Sequence, residues 1–167
     1  MPFTPFHMGP GILIKSLLHG SFSLMIFGWA QILMDIQPLV AMITNEGKLH
    51  GFSHTFLGAS LIAVISAITG KHISEIGLKI IGFSTIMKPI KILWGVTFVS
   101  AFIGTFSHVV LDAIMHTDVE PYYPFSTSNN FLSILSIQLL HELCIFSGLI
   151  GVGIFYFVQY IWKPRYE

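Results

Sequence analysis

The stretch "TFSHVVLDAIMHTD", residues 105–118, places His108, Asp112, His116 and Asp118 within an otherwise apolar segment. Residues four apart on a helix share a face, so His108 stacks with Asp112 and Asp112 with His116. His50 and His54 repeat that spacing upstream. Two antiparallel helices carrying such pairs can converge on one or two metal ions. Imidazole nitrogens and carboxylate oxygens suit divalent zinc first, with manganese or iron as alternatives, and suit thiophilic ions less well. A carboxylate shared by two ions is the usual way to hold a dinuclear hydrolytic pair. Such a pair acidifies water and clamps a phosphoryl or carbonyl oxygen.

The setting makes these residues unusual. The chain has 167 residues, 53% apolar and only 10% charged, with a mean hydropathy of +0.77. Soluble domains carry about 25% charged residues, so this composition predicts a single integral membrane domain spanning 1–167. Eight basic and eight acidic side chains leave no basic field, which argues against a nucleic-acid partner. The lone Cys144 excludes an intrachain disulfide and a cysteine-based zinc site. The opening "MPFTPFHMGPG" lacks a charged n-region and a small-residue cleavage site, so it is expected to be retained. Inside a bilayer an ionisable side chain costs about 2.5–3.5 kcal/mol on insertion scales, so such residues are seldom decorative.

Four apolar regions must position these side chains. The first, Gly11 to about Met34, is broken midway by Lys15, His19, Gly20 and Ser21, which favours a helical hairpin turning near His19–Ser21. Plain spans follow at Phe52–Gly70 and Ile92–Met115. The last, Phe131–Ile161, is long enough to be kinked, tilted or split near Gly148–Gly153. The expected fold is therefore all-α: a polytopic membrane bundle with an N-terminal hairpin and about three further transmembrane helices.

Lys71, Lys79, Lys88 and Lys91 sit between the second and third spans, and Lys163 and Arg165 lie in the tail. The positive-inside rule puts these in the cytoplasm, C-terminus included, in a plasma (inner) membrane. The histidines then gather at the extracytoplasmic end. His50 and His54 open the second span, and His108 to Asp118 close the third. Asp35 ends the first region on the same side. His7 reaches them only if that region is a hairpin, and His141 lies at a depth similar to His108.

Plainer roles compete at several positions. His141 could hydrogen-bond a neighbouring helix, His19 could serve a turn, and His72 could be solvated. Lys15 could snorkel to the cytoplasmic surface, and Asp118 and Glu120 could be loop charges. The loop "VEPYYPFSTSNN" could be an interfacial aromatic belt with a helix cap, or a wall over the site that shapes substrate access. Phe3 and Phe6, beside Pro2 and Pro5, could serve either role. Coincidence is the weaker account of His54, His108 and Asp112 together.

Four short motifs in order carry a resemblance: "PFHMG" with His7, "MDIQP" with Asp35, "LHGFSHT" with His54, and "FSHVVLDAIMH" followed by "YYPF", with His108 and Asp112. Over residues 7 to 125 the chain resembles the YdjM-like family of membrane-bound metal-dependent hydrolases. It departs in having Asp35-Ile36-Gln37 where the family has Asp-x-Asp. The interval between the two histidines of the middle motif is one residue shorter, and its arginine is absent. Leu49 falls where the family's first histidine stands. His116 and Asp118 lie outside the family pattern. The resemblance implies a hydrolase and supports the hairpin.

The leading expectation is thus a metal-dependent hydrolase at the extracytoplasmic membrane surface. His7, Asp35, His54, His108 and Asp112 would bind metal, with His50, His116 and His141 as further ligands or supporting donors. Asp112 would bridge ions or act as general base, and His116 would share in catalysis. A site opening at the membrane surface suggests membrane lipid as partner and an amphiphilic substrate, such as a phospholipid or lipid-linked phosphate. A b-type haem protein with two axial histidines and a metal or ion transporter are the competing classes. A descendant that has lost catalysis also fits Gln37 and the missing arginine. No Gly-x-Ser-x-Gly motif supports serine-hydrolase chemistry.

Overall fold

A computed structural model describes residues 5–83 and 89–161. Lys88, Lys163, Arg165, Pro2 and Phe3 of the sequence reading lie outside the described residues. Among the described residues six α-helices run in order: α1 (Met8–Leu18), α2 (Leu24–Met34), α3 (Ile36–Thr44), α4 (Phe56–Ile80), α5 (Trp94–Met115) and α6 (Ile137–Ile161). No strand occurs among the described residues. Four segments of the described residues are long and apolar enough to cross a membrane: Leu24–Thr44, Phe56–Ile80, Trp94–Met115 and Ile137–Ile161. The chain is an all-α membrane bundle.

The N-terminal hairpin forms where the polar residues interrupt the apolar run. α1 has 11 residues, which rise only about 16 Å against a hydrocarbon core about 30 Å thick. It ends at His19, whose φ of 44° takes the chain out of the helix. Lys15 does not reach away from the turn. Its ammonium donates to the carbonyls of His19 (2.6 Å) and Phe22 (2.8 Å), a cation over the carbonyl end of a helix. Ser23 then caps α2 by accepting from Ile26 N–H.

α2 lies between α4 and α5, while α1 packs chiefly on α6. Small residues set both approaches, as expected where lipid supplies no hydrophobic drive between helices. At Gly104 an added Cβ would stand 2.9 Å from Ala30 Cβ, so α5 meets α2 at backbone distance. At Gly151 it would stand 2.6 Å from Leu13 N, and at Gly9 1.9 Å from the Cys144 carbonyl. α6 is one continuous helix, not split near Gly148–Gly153. Gly148 and Gly151 are the places where α1 presses against it.

The second span also differs from expectation. α4 begins at Phe56 and continues through Lys71, His72 and Lys79 to Ile80. Lys71 bonds Glu75 one turn on (2.5 Å), and no proline intervenes, so the helix outruns its apolar stretch. The chain also turns helical again just after Asp35. Pro38 lacks the N–H that would bond the Met34 carbonyl and its ring crowds that carbonyl, so the helix is interrupted at Asp35 and restarts as α3. Two buried apolar clusters hold the bundle: Ile26 with Ala63, Ala67 and Ala101, and Met34 with Ala59 and Val109. The second sits near Asp35 and Asp112.

Candidate metal centre

Four segments deliver the side chains. α5 carries His108 and Asp112 one turn apart, both buried. The break at Pro38 leaves Asp35, also buried, between α2 and α3. His7 ends the short 3-10 turn Pro5–His7 that leads into α1 and packs against α5 and α6. His54 ends another such turn, Phe52–His54, just before α4.

His50 and His54 are therefore not one helical turn apart, as their spacing suggested. Thr55 caps α4 by accepting from Gly58 N–H at 2.9 Å, which fixes the helix start beyond both histidines. Their rings still meet, 4.9 Å between centroids.

Three imidazoles converge on one carboxylate. His7 Nε2 lies 3.4 Å from Asp112 Oδ1, and His54 Nε2 and His108 Nε2 lie 3.2 and 3.1 Å from Oδ2. His108 Nε2 is also 3.5 Å from Asp35 Oδ1. Among the described residues Asp112 meets histidines but no lysine or arginine. All three Nε2 atoms are buried and lack a hydrogen-bond partner of acceptable geometry, a cost that a coordinated ion would remove.

The spacing fits an ion as well. Two ligand atoms each about 2.1 Å from one ion stand about 3.0–3.4 Å apart at octahedral or tetrahedral angles. The observed separations run from 3.1 to 3.5 Å. Overlapping groups, each with ligand atoms within 4.8 Å, comprise His7–His108–Asp112, Asp35–His54–His108 and His50–His54–Asp112.

Amides and a hydroxyl orient the histidines. Gln31 Nε2 donates to the Gly104 carbonyl at 3.0 Å, which turns its Oε1 toward His108. His108 Nδ1–H donates to that oxygen at 2.6 Å, leaving Nε2 as the lone-pair nitrogen. Ser53 Oγ lies 2.8 Å from His54 Nδ1, a hydroxyl that can accept or donate there, and holds the ring's orientation. Gln37 Oε1 accepts from Ser53 N–H at 2.9 Å and so pins the turn bearing His54. Burial, with His108 close by, pushes the His7 pKa down to about 4. Burial also lowers that of His54, against the pull of Asp112. Both rings are thus neutral near pH 7, the form that binds metal.

A second group lies at the rim. α5 ends at Met115, so His116 leaves the helix in an extended conformation (φ −114°, ψ 129°) rather than standing over Asp112. Its ring stacks on His50, 4.3 Å between centroids. His50 Nδ1 lies 2.9 Å from both Asp118 oxygens. Burial would raise the Asp118 pKa, but the His50 hydrogen bond outweighs it and holds the carboxyl below its ordinary value. His50, His116 and Asp118 form a further group with ligand atoms within 4.8 Å. His141 is elsewhere: it stacks on Phe6 at 4.5 Å and joins none of the groups found among the described residues. His19 is an exposed turn residue and His72 is exposed on α4.

The sequence reading missed Gln31 and the support given by Gln37 and Ser53. Gln31 had a signal: a lone amide in "IFGWAQILM", four residues before Asp35 and hence on its helical face.

Fold and site together define a polytopic helical membrane protein with buried histidines and aspartates that could hold a metal ion. The chain belongs to the YdjM inner membrane protein family, whose sequence model matches residues 11–164. No curated protein and no solved structure matches it.

Proposed function

We propose that this inner membrane protein is a metal-dependent hydrolase, with zinc as first choice of ion and manganese or iron as alternatives. The observation that carries the reading is the convergence of three buried, partnerless Nε2 atoms on Asp112. His7, Asp35, His54, His108 and Asp112 would hold one or two ions, and the two Asp112 oxygens face different histidines. A bound divalent ion supplies Lewis acidity at a phosphoryl or carbonyl oxygen. The converging nitrogens argue against haem, whose axial ligands face each other across a ring.

Hydrolysis forms a bond from a water oxygen to phosphorus or carbon and breaks the ester bond. Asp112 accepts the water's proton, and His116 at the rim returns one to the departing oxygen. Gln31 keeps His108 in the tautomer that presents Nε2, and Ser53 holds the His54 ring in orientation. The substrate is an amphiphile, a phosphoester or lipid, because the site lies where the spans end. By the lysine distribution that end is extracytoplasmic and the C-terminus cytoplasmic.

The test is elemental analysis of detergent-purified wild type beside His108→Ala and Asp112→Ala. Stoichiometric zinc, manganese or iron, lost in both variants, is expected, and phosphoester and lipid screening follows. A folded wild type that is metal-free and cannot rebind metal would overturn the reading.

A further inference from the structure

A cavity of about 330 Å³ opens beside the centre, at the small end of the range for ligand pockets. His50 and Gln37 line it. His50 also belongs to the group containing His54 and Asp112, so a molecule in the cavity abuts the metal-binding residues directly.

Two loops form the walls, and both are anchored. The Phe52–His54 turn is held by Gln37. The loop after α5 is tied to the start of α4, where Phe56 N–H donates to the Pro121 carbonyl at 2.8 Å. Val119 and Pro121 of that loop are buried. Tyr123 N–H then donates to the Glu120 carbonyl at 3.1 Å, a turn that sets both residues at the cavity.

The charges are the informative feature. Lys48 and Glu120 both line the cavity, yet they form no ion pair with each other, and neither pairs with another charged side chain among the described residues. One cation and one anion left apart around one cavity complement a ligand that carries both signs. Phe52 and Tyr123, each nearly half exposed, add aromatic surface to the cavity wall where lipid tails would pass.

We infer that this cavity selects a zwitterionic phospholipid headgroup, its phosphate toward Lys48 and its ammonium toward Glu120. The inference rests on the hydrolase reading for its consequence, because it names the substrate class of that site. The binding itself can be read separately.

The experiment is native mass spectrometry of the detergent-purified protein with an equal mixture of phosphatidylethanolamine and phosphatidylglycerol. Metal is measured on the same samples. Wild type is expected to retain phosphatidylethanolamine about two- to five-fold over phosphatidylglycerol, the range a single exposed charge contact provides. Glu120→Gln should abolish that preference, and Lys48→Gln should weaken retention of both lipids. Equal retention by wild type, or a ratio unchanged in Glu120→Gln, overturns the inference. Metal present without headgroup preference removes the inference alone. A preference without metal leaves the cavity's selectivity standing and removes the hydrolase.

Discussion

His108 Nδ1 and Gln31 Oε1 stand 2.6 Å apart, a hydrogen bond from α5 to α2 that decides which nitrogen of the histidine faces Asp112. Gln31→Leu should lower metal affinity about 10- to 100-fold, the usual effect of losing a group that orients a ligand. Gln31→Glu, which keeps an acceptor for Nδ1–H, should retain most of it. Competition with a chelator of known affinity measures both, and equal losses would mean that Gln31 only fills space.

Gln37 acts one step further out. Its replacement by alanine strips Ser53 N–H of its acceptor and should cost about 1 kcal/mol of stability. The turn bearing His54 should loosen with it. A lower thermal midpoint in detergent, accompanied by weaker metal retention, is the expected pair of results.

The glycines facing α1 should be intolerant of side chains. Gly151→Ala places a Cβ 2.6 Å from Leu13 N, whereas Gly153 has open space around it. Gly151→Ala should destabilise by about 1–3 kcal/mol, and Gly153→Ala should be neutral. Thermal unfolding of the two proteins side by side makes the comparison.

Acid should weaken the metal-free protein. His7 titrates at about 4 in the folded chain, down from 6.5, so between those values the unfolded chain binds the extra proton and stability rises with pH. His54 is shifted in the same direction. The stabilisation is complete above 6.5 and falls away as pH drops toward about 4. His7→Gln should flatten that dependence in thermal melts of chelator-treated protein.

The bundle and much of the cluster were legible because they rest on local signals. Apolar length gave the spans, and the polar break at Lys15–Ser21 gave the hairpin that brings His7 to Asp112. His108 and Asp112 lie within a single helix, so their spacing translated directly into a shared face. His50, His54 and His116 did not follow, because Thr55 starts α4 beyond both His50 and His54 and α5 ends at Met115, as expected, one residue short of His116. Helical spacing carries no information beyond a helix's ends. Gly148 and Gly151 read as a weak point in α6 because sequence alone does not show the neighbour pressing on them. His141 sits at the right depth but turns to Phe6, a choice of face that hydropathy cannot express.

The pairing of α1 with α6 bears on how the protein is made. Asp35, His54, His108 and Asp112 all belong to the first 115 residues, and their helices can associate while the chain is still being synthesised. His7 leads into a helix whose main partner is α6, which follows all of these residues in the chain. His7 can be locked in place by that pairing only after α6 has been inserted. Completion of the cluster would then wait on insertion of α6, and a chain stalled before α6 would carry an open site.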